Sequence, residues 1–175
     1  MRSPIITLSP VKVHLAQWVA ERRVRNVIER DLRAVNNEPM DHPTLMRQHV
    51  SGALGEVAGK LWLDPIEWNP MEIDKPDLGG VIDVKAVEVA THHLLIGVER
   101  ASADLIYLLA RGHDHPTWRM TGWIDGATAL ARRDWIRTPA WGPCIVVPND
   151  ALAPVRDLWD YVERWLPADR SGESI

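Results

Sequence analysis

The sequence predicts an α/β layer structure, a central mixed β-sheet flanked by α-helices. Three observations carry this. Before Ile66 apolar residues recur at helical spacing in two stretches; after it come short Val- and Ile-rich runs bounded by Gly, Pro, Asn and Asp; near the C-terminus helical spacing returns. Helices, then a block of strands, then a helix is the order of a sheet with helices packed on it.

The first helix opens at Ser9-Pro10, an N-cap residue followed by a first-turn proline. Ala16, Val19, Val24, Val27, Ile28, Leu32 and Val35 form its apolar stripe, and it stops near Asn36-Asn37, before Pro39. Arg22, Arg23, Arg25, Arg30 and Arg33 are interleaved with Glu21, Glu29 and Asp31, which reads as a solvated face, with phosphate contact as the alternative. A second helix runs from Asp41-His42-Pro43 to about Leu63 with Met46, Val50, Ala53, Leu54, Val57 and Leu61 inward. Strands are expected at 81–87, 94–98, 104–110 and 118–124. A short helix follows Asp125. A last one spans about 154–166 on Val155, Leu158, Trp159, Val162 and Trp165, and 168–175 read as a disordered tail.

A chain of 175 residues with 46% hydrophobic content is the size of one domain, expected over 1–167: an N-terminal helix in 1–40, a core in 41–130 and a C-terminal helix in 150–166. Cys144 is its one cysteine and reads as a core thiol, which excludes an internal disulfide or a multi-thiolate zinc site. No signal-peptide pattern or membrane-length apolar run is present, so a cytoplasmic protein without membrane contact is expected. The net charge of -4 argues against a protein that coats nucleic acid electrostatically, but not against an enzyme that meets it briefly. Of the 20 basic residues 16 are arginine, a bias that a GC-rich genome explains as readily as phosphate binding does. Nine tryptophans with no phenylalanine are expected chiefly in packing.

The chemistry concentrates in Pro76-Asp77-Leu78-Gly79-Gly80-Val81-Ile82-Asp83-Val84-Lys85-Ala86. Asp83 and Lys85 share one face of a strand, because side chains alternate with period 2. Asp77 shares that parity if the segment is one strand; Gly79-Gly80 would otherwise make a turn or bulge. Charges inside such an apolar run are costly unless paired or bound to something, although an edge strand with one solvated face gives the same alternation. In the second helix Glu56 sits among Gly52, Gly55 and Gly59, each of which costs a helix about 1 kcal/mol relative to Ala. Gly52 and Gly59 lie on the Glu56 side and would let it approach another element, plausibly the strand carrying Asp83. His49, seven residues earlier, shares the Glu56 face and is a second-shell or substrate-contact candidate. His92-His93 and His113-Asp114-His115 read as solvated loop residues rather than ligands.

A helical glutamate, then Pro-Asp, then acid-x-Lys on a strand resembles the PD-(D/E)XK nuclease superfamily through Glu56, Pro76-Asp77 and Asp83-Val84-Lys85. The segments Trp118-Arg119-Met120-Thr121-Gly122-Trp123-Ile124-Asp125-Gly126 and Val147-Pro148-Asn149-Asp150-Ala151-Leu152 are similar to those of short phage and prophage proteins of that superfamily, and the resemblance spans roughly 45–160. It implies a restriction-endonuclease-like fold and metal-dependent hydrolysis of nucleic-acid phosphodiesters, DNA ahead of RNA. Glu56, Asp77, Asp83 and Lys85 would be catalytic, and Glu56, Asp77, Asp83 and the Val84 carbonyl would hold one or two Mg²⁺, with Mn²⁺ as substitute. Lys85 would orient or deprotonate the attacking water and stabilise the transition state. Converging carboxylates would also raise the titration of at least one of them. The alternatives are a non-catalytic module of the same fold acting by protein or nucleic-acid binding, and a hydrolase of another phosphate ester. Oligomeric state is open, a homodimer included.

Overall fold

The structure, a computed structural model, describes residues 3–29, 41–71, 75–89, 91–112, 114–139 and 142–162. In chain order its elements are β1 (Ile5–Thr7), α1 (Pro10–Glu29), α2 (His42–Trp62), β2 (Ile82–Val87), β3 (Leu94–Gly97), β4 (Ile106–Gly112), β5 (Thr117–Asp125), α3 (Gly126–Ala131), β6 (Ile136–Arg137), β7 (Cys144–Val147) and α4 (Leu158–Val162). The class is mixed α/β. One sheet runs β1-β5-β4-β2, with β2 parallel to β4 and the other pairs antiparallel; a second, antiparallel sheet runs β3-β7-β6.

Alternation along β4 divides the interior. Leu108 and Ala110 face α1, α2 and α4, while Tyr107 and Leu109 face Leu94, Ile96, Ile145 and Val147 of the small sheet and Ala129 of α3. The principal helices thus cover one face of the main sheet, and the other is covered mostly by strands rather than by the helical flank the sequence suggests. Both sides of β4 are apolar because both are buried, and each large side chain so removed from water stabilises by about 1.5–3 kcal/mol.

Local chemistry sets the helix ends. The Asp41 carboxylate accepts from Thr44 N at 2.8 Å, and the Leu63 N–H donates to the Gly59 carbonyl at 2.9 Å. α2 lies close on the sheet at Gly55 and Gly59: a Cβ on Gly55 would stand 2.7 Å from Ala86 Cβ, and one on Gly59 3.4 Å from Leu78 and Val84. Gly52, expected to share in this approach, has open space around it. The Gly122–Gly126 segment is equally constrained. Leu152 and Ala153 press on Gly122, Trp123 Nε1 donates to the Pro154 carbonyl at 3.0 Å, Asp125 caps α3, and Gly126 leaves no room for a Cβ beside Ser102.

Other expectations shift locally. Ile28 is 56% exposed, because the buried stripe of α1 runs through Ala16, Val19, Ala20, Arg23 and Val24. The last helix begins as a 3₁₀ turn, Val155–Asp157, before α4. The first helix beyond 29, the last beyond 162 and the tail at 168–175 lie outside the described residues. Short strands β1, β6 and β7 were not expected from the sequence; Cys144, on β7, is buried as expected. No helix among the described residues is long and apolar enough to cross a membrane.

Candidate functional site

β2 is an edge strand, and the chain before it folds back along its open side. Gly79 and Gly80 adopt φ of 57° and 73°, which glycine tolerates without penalty, and the turn pairs Leu78 with Ile82 through reciprocal N–H to carbonyl bonds of 3.0 Å. Asp77 then lies beside Val84, whose N–H donates to Asp77 Oδ2 at 2.7 Å. A strand residue directs its N–H and C=O to the same side, so the Val84 carbonyl also faces this open edge.

The Gly-Gly turn settles the parity question. Asp83 and Lys85 share a face of β2, in register with Tyr107 and Leu109, while Val84 and Ala86 face α2. Asp77 comes instead from the strand edge. A cavity of about 370 Å³ wraps this edge: Arg23, His49 and Glu56 line it from the helices, Asp77 and Val84 at the edge, and Asp83, Lys85, Glu99, Arg100 and Leu105 beyond. Every residue assigned to the site from the sequence lines this one cavity. The segment bearing Glu99 and Arg100 is held by Tyr107, whose hydroxyl accepts from Ser102 N at 2.9 Å, and by Gly126 N donating to the Leu105 carbonyl at 2.7 Å.

Glu56 is 4% exposed and turns inward, as its glycine neighbours suggest, but it meets a cation. Arg23 Nη1 donates to Oε1 at 2.5 Å and Nη2 to Oε2 at 2.7 Å; Trp68 Nε1 adds a bond to Oε2 at 3.2 Å. Arg23 Nε donates to the Pro70 carbonyl at 2.7 Å, so one guanidinium joins α1, α2 and the loop after α2. Arg23 is therefore not part of a solvated basic face. It lies instead on the continuous buried stripe made by positions 16, 19, 20, 23 and 24. For Trp68, Glu99 and Arg100 the sequence gives no signal.

The electrostatics follow from this packing. Burial, then the neighbouring charges of Glu56 and Asp83, push the Asp77 carboxyl up to about 8, against the opposing effects of the Val84 N–H and Lys85. Asp83 is partnered, with Lys85 Nζ 2.8 Å from its Oδ1. Burial and the Arg23 charge lower the pKa of His49. Among the described residues no three His, Cys, Asp or Glu side chains converge into a ready metal cage. His92, His93 and His115 are exposed, and His113 lies outside the described residues.

No family model, curated protein or solved structure matches the chain. What the site can do follows from its donors. Asp77, Asp83 and the Val84 carbonyl are hard oxygen donors at one strand edge, with an ammonium beside them, a set suited to a hard divalent cation and an anionic substrate.

Proposed function

We propose that the protein is a metal-dependent nuclease of restriction-endonuclease-like fold, hydrolysing phosphodiester bonds of nucleic acid, DNA ahead of RNA, in the cytoplasm and in a phage or mobile-element setting. The observation that carries this reading is Asp77, held against Val84 N at the open edge of β2 and raised to about 8 in a cavity shared with Asp83 and Lys85. A buried carboxyl crowded by two others gains most from a divalent cation, which removes their repulsion and its desolvation penalty together.

The donor set fits Mg²⁺, with Mn²⁺ as substitute: Asp77, Asp83 and the Val84 carbonyl would hold it, and such ions commonly use one or two carboxylates with water and substrate phosphate completing the shell. When bound, the ion supplies positive charge to the phosphate and a more acidic water. Lys85 has three N–H donors, one directed at Asp83, so the others can meet a phosphoryl oxygen and orient the attacking water. Val84 N fixes the rotamer of Asp77 by hydrogen-bonding Oδ2, leaving Oδ1 as the coordinating oxygen. Arg23 and Glu56 wall the cavity on the helix side.

One observation favours a second reading, a non-catalytic module of the same fold that binds protein or nucleic acid. Glu56, the third acid of the motif, is already neutralised by Arg23. Incubation of the purified protein with linear, circular and single-stranded DNA and with RNA, in Mg²⁺ or Mn²⁺ against EDTA, separates the two. Cleavage that needs the metal supports the nuclease; binding of any of these without cleavage in either metal supports the module.

A further inference from the structure

Arg23 and Glu56 occupy the helix-side wall of the cavity as a closed unit. Their side chains are 8% and 5% exposed, and both guanidinium Nη groups lie on the carboxylate while Nε is held by Pro70. Freeing Glu56 would leave a buried guanidinium unpaired and strip Trp68 Nε1 of its acceptor. Asp77, by contrast, has one oxygen on Val84 N and, among the described residues, no cation paired with the other.

Charge points the same way. With Asp77 ionised, the carboxylates of Glu56, Asp77 and Asp83 face the bonded cations Arg23 and Lys85, a net charge of -1, and the other charged residues lining the cavity, Lys75, Glu99 and Arg100, bring the total to zero. One divalent cation more than neutralises that cluster. A second would need a further acid: Glu56, the buried one, is spent on Arg23, and Glu99, the remaining acid of the lining, is exposed to solvent. We infer that Arg23 is the built-in substitute for a second metal ion, so that the site binds a single divalent cation through Asp77 and Asp83, with Glu56 outside its coordination shell. This rests on the reading of the site as a divalent-cation centre and adds to it the number of ions and the role of Arg23 as a positioning residue.

Calorimetric titration of the full-length chain with Mn²⁺ at pH 8, with electron paramagnetic resonance to detect coupled Mn²⁺ pairs, tests it without any substrate. The wild type should bind one Mn²⁺ with no coupled-pair signal. Arg23→Gln, which releases the Glu56 carboxylate, should bind two, and Arg23→Gln/Glu56→Gln should return to one. Should the single variant fail to fold, the double variant decides, because it keeps the net charge and pairs the two side chains as amides. One Mn²⁺ bound by the double variant with an affinity within about 100-fold of wild type, the upper end for losing groups outside the coordination shell, supports the inference, whereas a larger loss overturns it. Two ions in the wild type overturn it while leaving the metal reading intact. No Mn²⁺ bound by wild type at millimolar concentration overturns both.

Discussion

Arg23 and Glu56, 33 residues apart in sequence, close a bidentate ion pair at 2.5 and 2.7 Å between α1 and α2, on the wall of the cavity that holds Asp77. The desolvation of such a pair is offset only while both partners are present. Arg23→Met should therefore cost about 3–5 kcal/mol in metal-free protein, by stranding the Glu56 charge. Adding Glu56→Gln should recover most of that loss, since the remaining amide still accepts from Trp68. Urea denaturation of the two single variants and the double completes the cycle; strictly additive losses would mean that the two side chains are not coupled.

Asp77 gives the pH dependence its sign. Its folded-state value of about 8 lies above the ordinary 3.8, so between those limits the native state binds the extra proton and stability falls as pH rises. The slope from this group is at most about 1.4 kcal/mol per pH unit, and it ends above pH 8. Asp77→Asn keeps an acceptor for Val84 N and should flatten that fall, raising metal-free stability at pH 8. Asp83→Asn lacks this simple benefit, because Asp83 would lose Lys85 as it escapes Asp77. Chemical denaturation from pH 5 to 8.5 in EDTA checks the slopes; parallel wild-type and Asp77→Asn profiles would count against a raised Asp77.

The same titration predicts proton release. Below pH 8 a cation must displace the Asp77 proton, so Mn²⁺ uptake at pH 6.5 should expel close to one proton from this group and affinity should strengthen toward pH 8. Calorimetry in buffers of different ionisation enthalpy measures the number directly. A value near zero would remove Asp77 from the coordination shell.

The glycines of α2 should separate cleanly. Gly52→Ala meets open space and should stabilise by about 0.5–1 kcal/mol through helix propensity and a less flexible unfolded chain. Gly55→Ala should destabilise by about 1–3 kcal/mol, since its Cβ would press on Ala86 and move the helix off β2. Thermal melts rank the two; equal shifts would contradict the close crossing at Gly55.

How far such features were legible depended on whether one element determined them. The Asp41 cap, the shared face of Asp83 and Lys85 and most of the α1 and α2 stripes within the described residues follow from local period and spacing, and the structure has them; Ile28 and Leu61, expected inward, are instead 56% and 39% exposed. Strands β6 and β7 are short pieces of a second sheet whose partners lie far away in sequence, and β1 is three residues long, too brief for any periodicity to speak. Glu56 was legible as an inward-facing acid, but its partner was not, because pairing across two helices is a tertiary event and arginine on a helix is most often solvated. Helical spacing assigned the close approach to Gly52 and Gly59, whereas the structure makes it at Gly55 and Gly59, because Gly55 faces Ala86 and Gly52 faces open space.

The most direct test of the central claim is single-turnover cleavage of the nucleic acid that wild type cuts, comparing wild type with Lys85→Ala at saturating Mn²⁺, each titrated calorimetrically with Mn²⁺ in parallel. In the proposed mechanism Lys85 acts on the water and the phosphate, while Asp77 and Asp83 hold the ion. Lys85→Ala should therefore cut at least about 100-fold more slowly, the scale of losing one positioned group that stabilises the transition state, and still bind Mn²⁺. Undiminished cleavage by Lys85→Ala would contradict the account.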